Sequence, residues 1–165
     1  MNFLDLLMQV RTRANLSWKP PERLLSLDPG ETLGWAFFCS GKLYERGQVS
    51  LTSSTSQILQ LLKRFLPAIV VAEDYRIYSW EAKRHAWRDL FTPRLLGIIE
   101  SLCSQQGIPL FLQMAGLPKG FCKDKRLREW GFYQRGQPHA NDAIRHGTYF
   151  LLFGRAIIEA VPQLR

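Results

Sequence analysis

A chain of 165 residues, 46% hydrophobic and 22% charged, can bury one real core and leaves little room for a second, which excludes a disordered polymer and a large multidomain assembly. Its 22 Lys and Arg against 14 acids give a formal net charge of +8, a balance that suits nucleic acid, an acidic membrane surface or an acidic protein. Cys39, Cys103 and Cys122 form no CxxC pair, so neither a zinc cage nor a disulfide framework is expected, and the thiols fit a reducing compartment.

In chain order, residues 1–15 read as a short amphipathic helix. Asp5 and the lack of a basic segment ahead of the apolar stretch set it apart from a secretory signal, and no apolar run approaches a membrane span. Lys19-Pro20-Pro21 breaks this helix from the rest of the chain, giving an N-terminal helical extension, 1–20, and one domain, 21–165. A strand is predicted over 24–28, a turn at Pro29-Gly30, and strands over 34–39 and 42–49 joined at Ser40-Gly41. Thr52 to Ser56 offer helix caps, and Ile58, Leu59, Leu62, Phe65 and Leu66 then fall at helical spacing until Pro67 stops the helix. The apolar run 68–72 suits a central strand covered on both faces. A helix over 93–105 with Leu95, Leu96, Ile98, Ile99 and Leu102 facing inward, a strand over 108–112, a loop-rich stretch over 113–138 and a last helix over 138–153 complete the order. Early hairpins followed by strand–helix alternation indicate an α/β protein with a mixed five-stranded sheet and helices on both faces.

Three acids border these apolar runs. Asp28 ends Leu24-Leu25-Ser26-Leu27-Asp28, Glu73 ends Ala68-Ile69-Val70-Val71-Ala72-Glu73, and Asp142 lies in His139-Ala140-Asn141-Asp142-Ala143-Ile144. Carboxylates at the edge of a core are costly unless paired or bound to a metal. Asp28 also suits a plain Asp-Pro-Gly turn, and Glu73 a solvated strand end. Asp74, next to Glu73, should point to the opposite side of the sheet. His139 and Asp142, three apart, share a helix face with His146 one turn on, while Ala140, Ala143 and Gly147 allow close packing on the sheet. Hydrolysing a phosphodiester needs a nucleophilic water and charge stabilisation on the leaving oxygen. Two Mg²⁺ ions about 4 Å apart supply both, and Mg²⁺ favours oxygen ligands.

The run Leu24-Leu25-Ser26-Leu27-Asp28-Pro29-Gly30 with Gly34, the run Val70-Val71-Ala72-Glu73 and the run His139-Ala140-Asn141-Asp142-Ala143-Ile144 resemble, in order and spacing, the first, second and last motifs of RuvC-like Holliday junction resolvases. The resemblance covers about residues 22–153. It implies an RNase H-like fold, a homodimer and Mg²⁺-dependent cutting of four-way DNA junctions, with Mn²⁺ able to substitute. It makes Asp28, Glu73 and Asp142 metal ligands and His139 a ligand or water activator. Bacterial members often carry an aromatic residue three after the Glu; here Arg76 stands there, with Tyr75 and Tyr78 displaced from it. The added N-terminal helix and compact size suit a phage-type or organellar relative.

Two basic clusters flank the acids in sequence. Lys119, Lys123, Lys125, Arg126 and Arg128 gather around Phe121 and Trp130, while Arg76, Lys83, Arg84 and Arg88 mix with Tyr75, Tyr78, Trp80 and Trp87. Basic groups contact phosphates and aromatics stack on unpaired bases, although a solvated basic face with core aromatics has the same composition. Lys119 and Lys123 are the foremost candidates for phosphates near the cut. Helix 93–105 is the candidate dimer interface, though an apolar stripe more often faces its own core. Another RNase H-like nuclease acting on flaps, as a terminase or as an RNase H, and a basic junction-binding module without catalysis are the alternatives. An actin-like sugar kinase needs two such domains and more chain than this.

Overall fold

The computed structural model describes residues 1–13, 20–75 and 91–159. The element order is α1 (Phe3–Arg13), β1 (Arg23–Asp28), β2 (Thr32–Cys39), β3 (Lys42–Ser50), α2 (Leu51–Phe65), β4 (Ile69–Asp74), α3 (Phe91–Gln105), β5 (Leu110–Met114), α4 (Gly116–Phe121), α5 (Asp124–Glu129) and α6 (Pro138–Glu159). The five strands lie in the order β3-β2-β1-β4-β5. The first three form an antiparallel meander, and β1–β4 and β4–β5 pair in parallel. A mixed sheet arises because the tight Ser40-Gly41 hairpin, with φ of 47° and 77°, can join only antiparallel neighbours, whereas α2 and α3 carry the chain back for parallel ones.

Strand alternation divides the hydrophobic residues between two cores. Leu25, Leu27, Trp35, Phe37, Val70 and Ala72 pack with Ile58, Leu61 and Leu62 of α2 and with Leu95, Leu96, Ile99 and Cys103 of α3. Leu24, Ala36, Phe38, Val71 and Phe111 point the other way, against Ala143, Ile144, Phe150 and Leu151 of α6. The same parity sends Ser26, Asp28 and Glu73 to the α6 face and Asp74 to the other. Helix α1 joins the α6-side core through Phe3 and Leu7, with the Phe3 ring 5.0 Å from Trp130 and 5.5 Å from Phe132.

The structure revises several expectations. Residues Thr52 to Ser56 lie inside α2, whose N-cap is Ser50, and they cap nothing. Ser54 Oγ donates to Ser50 O and Ser56 Oγ to Ser53 O, while Thr52 Oγ1 bonds the Ser50 hydroxyl. Strand β5 starts two residues later than predicted, at Leu110, and this even shift keeps its faces unchanged. The stretch read as loop holds the short helices α4 and α5, whose six residues each are too few for the helical period to be visible in sequence. Helix α6 runs past Phe153 to Glu159. The apolar stripe of α3 faces its own core as expected, through Leu95, Leu96 and Ile99. Arg76, Tyr78, Lys83, Arg84, Arg88, Trp80 and Trp87 lie outside the described residues. Among the described residues, no helix is long and apolar enough to cross a membrane.

Candidate active site

Strand β1 delivers Asp28 at its C-terminal end, β4 delivers Glu73 beside it, and the first turns of α6 lay Asp142 over both. One carboxylate oxygen from each of the three acids lies within 4.8 Å of the others. The approach of α6 depends on small residues. A Cβ at Gly34 of β2 would fall on the backbone carbonyl of His139, and one at Gly147 would fall on the Phe38 ring and Ser26 Oγ. Ala140 and Ala143 are fully buried at this contact. Ser26, fully buried in mid-strand, fastens the helix by donating to Ala143 O at 2.7 Å.

One face of α6 serves all three acids. His139 Nδ1 donates to Asp28 Oδ2 at 2.9 Å, Asp142 supplies the third carboxylate, and His146 Nε2 donates to Glu73 Oε2 at 3.0 Å. The predicted His-x-x-Asp pair thus lies on one face of α6, with His139 reaching across to β1. Lys119, on α4, sets its ammonium 3.0 Å from Glu73 Oε2 and 3.1 Å from Asp142 Oδ2. Arg145 pairs with both Asp142 and Asp124, and its Nε donates to Cys122 O at 2.8 Å.

These contacts set the charge states. Burial raises the Asp28 carboxyl, and Glu73 and Asp142 nearby push the same way, against the His139 hydrogen bond. Burial would also raise Glu73, but hydrogen bonds from His146 and Lys119 outweigh it and hold the group at about 2. The bond to Asp28 raises His139. Burial would lower Lys119, yet Glu73 and Asp142 lift it above its ordinary value. The site is thus a nest of carboxylates around which the chain already places positive charge.

Three oxygen donors of this kind suit a hard divalent cation such as Mg²⁺ or Mn²⁺ rather than a soft one. The Lys119 ammonium against two of the carboxylates marks where positive charge is favoured. Asp28, Glu73 and Asp142 fit such an ion, and none of the three cysteines lies among them.

Around α4 and α5, Gly120, Phe121, Lys123, Lys125, Arg126 and Glu129 line a hollow of about 530 Å³. The Arg126 guanidinium lies 4.2 Å from the Phe121 ring centre and donates to Phe121 O, which holds its charge at the hollow's wall. The aromatics of this cluster belong to the core: Phe121 packs on Tyr149 and Phe153, and Trp130 on Phe3 and Phe132. Tyr75, half-buried, packs against the α2–α3 core. Sequence reasoning left Arg145, His146 and Gln113 out of the site. Arg145 and His146 are signalled only by their spacing from Asp142, and Gln113 only by its register opposite Glu73.

No protein-family model matches the chain, and no curated protein matches it in sequence. Solved structures do match. RuvC of Thermus thermophilus, in complex with a Holliday junction substrate, is 17% identical and superposes with a TM-score of 0.63 over 81% of this chain and 95% of that one. Fowlpox virus resolvase, in complex with substrate Holliday junction DNA, is 12% identical with a TM-score of 0.56 over 78% and 96%. The yeast mitochondrial Holliday junction resolvase is 14% identical with a TM-score of 0.55 over 88% and 84%. The chain therefore has the RNase H-like fold, in the form taken by these three proteins.

Proposed function

We propose that this protein is a structure-selective endodeoxyribonuclease that resolves four-way DNA junctions by paired, divalent-metal-dependent hydrolytic nicks, acting as a homodimer. The observation that carries the reading is the convergence of Asp28, Glu73 and Asp142 within 4.8 Å, on a fold of this kind. Asp28, Glu73 and Asp142 are the residues that would hold Mg²⁺, two ions per site, with Mn²⁺ able to replace it. When bound, the metal supplies charge stabilisation at the phosphate and activation of the attacking water. The chain's own groups do the rest. His139, with Nδ1 committed to Asp28 and a side chain 41% exposed, keeps Nε2 for a proton from that water. Lys119 carries the ammonium that would meet the scissile phosphate. Lys123, Lys125 and Arg126 line the basic hollow, where the backbone of a junction arm would lie. Two symmetry-related sites give the two matched nicks.

The test is incubation of the purified protein with a labelled four-way junction, a fork and a linear duplex, in Mg²⁺ or in EDTA. Paired symmetric nicks on the junction, absent in EDTA, are expected. Cutting confined to the fork would move the activity to another nuclease of this fold. Tight junction binding with no cuts under any divalent metal would make the chain a binding module.

A further inference from the structure

His146 is fully buried, one helical turn beyond Asp142 and on the inner face of α6. It is the most buried titratable group near the acids, and the proposed cleavage chemistry gives it no role. Its Nε2 donates to Glu73 Oε2 at 3.0 Å, and its Nδ1 stands 3.0 Å from Gln113 Oε1. Gln113 is itself 4% exposed. The parallel register of β4 and β5 sets Gln113 directly beside Glu73, so both side chains rise from the sheet on the same face and the imidazole fits between them.

Gln113 Nε2 is buried and has no partner among the described residues. With Oε1 toward the ring, both ring nitrogens carry hydrogen. With the amide turned over, Gln113 donates to a bare Nδ1, and only Nε2 carries hydrogen. In both arrangements His146 presents an N–H to Glu73, and Gln113 holds the ring by its other nitrogen. A strand-end glutamate has three rotatable side-chain bonds, and ordering it costs conformational entropy. Here one oxygen is pinned from behind by a group that water cannot reach. A purely packing role at this position would be better served by an apolar side chain, which leaves no polar atom to satisfy.

We propose that His146, held by Gln113, is a positioning residue for Glu73. It presets that carboxylate for a divalent cation and so sets the metal affinity of the site. The proposal rests on the assignment of Asp28, Glu73 and Asp142 as a metal site. Groups that hydrogen-bond a metal-ligating side chain from outside typically change affinity by roughly 10- to 100-fold when removed. His146→Leu should weaken Mn²⁺ binding to the DNA-free protein by about that factor and raise by the same factor the Mg²⁺ concentration for half-maximal cleavage. Junction affinity in EDTA should stay unchanged. His146→Gln, whose amide nitrogen can occupy the Nε2 position, should recover most of the affinity, and Gln113→Met should weaken Mn²⁺ binding without removing the imidazole.

Mn²⁺ binding is read from the free-ion paramagnetic resonance signal, with circular dichroism confirming that each variant is folded. If His146→Leu fails to fold, His146→Gln and Gln113→Met carry the comparison. Wild-type Mn²⁺ affinity in folded His146→Leu, or in Gln113→Met where that variant stands in, overturns the positioning role and leaves the metal site intact. Weakening in His146→Leu that His146→Gln does not recover at all also overturns it, because a merely structural residue behaves so. Wild-type protein that binds no Mn²⁺ overturns the metal site and this proposal with it.

Discussion

An ammonium and an imidazole bond directly to Glu73 and outweigh its burial, whereas at Asp28 burial and the neighbouring acids outweigh the His139 hydrogen bond and the Lys119 charge. The two acids therefore respond oppositely to loss of charge. Asp28 has a folded value above its ordinary 3.8, so at neutral pH its ionised form costs the metal-free protein stability. Asp28→Asn should raise the melting temperature in EDTA while cutting junction cleavage by at least about 10³-fold, because removing a metal ligand takes away several kcal/mol of transition-state stabilisation. Thermal melts and single-turnover cleavage check both halves. Glu73 has the opposite sign. Its value falls from 4.5 to about 2, so its contribution is full above 4.5 and is lost as pH drops toward 2. Glu73→Gln should cost about 1–3 kcal/mol at neutral pH in EDTA, since His146 and Lys119 are deprived of a charged partner. The variant should also lack the wild-type fall in stability across that acid range, measured by urea unfolding at several pH values.

At the scale of elements, α6 carries the site and two glycines decide its seat. Gly34→Ala sets a methyl against backbone, and Gly147→Ala sets one against the Phe38 ring, which can yield. Both should destabilise by about 1–3 kcal/mol, as overpacking does, with Gly34→Ala the worse of the two. Gly34→Ala should also depress cleavage at temperatures where it is still folded, because it lifts the start of α6 and Asp142 with it; paired denaturation and cleavage assays decide this. The strands and long helices were legible from short apolar runs, from apolar residues at helical spacing and from Pro/Gly punctuation. The acids were legible because each interrupts or ends an apolar run. The short helices α4 and α5 were not, nor was the contact of Lys119 with the carboxylates, which depends on how α4 folds back on α6. The bond from His139 to Asp28 was equally hidden, because spacing shows a shared face and not what lies across from it.

For the whole molecule, the +8 charge sets how the chain meets a polyanion. Junction affinity should fall steeply with salt. Lys123→Gln combined with Lys125→Gln should reduce the slope of log affinity against log salt by about two units, roughly one for each phosphate no longer neutralised, with little change in sequence preference. Electrophoretic shift titrations at several salt concentrations measure it. The placement of the acids along the chain also matters during synthesis. Asp28 and Glu73 come early, while Asp142, His139 and His146 arrive together on α6, more than sixty residues after Glu73. A nascent polypeptide whose α6 has not yet emerged and docked carries two acids and neither histidine. Under the proposed function, catalytic competence would therefore appear in one step during translation, and a ribosome-bound fragment ending before α6 would leave the DNA around it uncut.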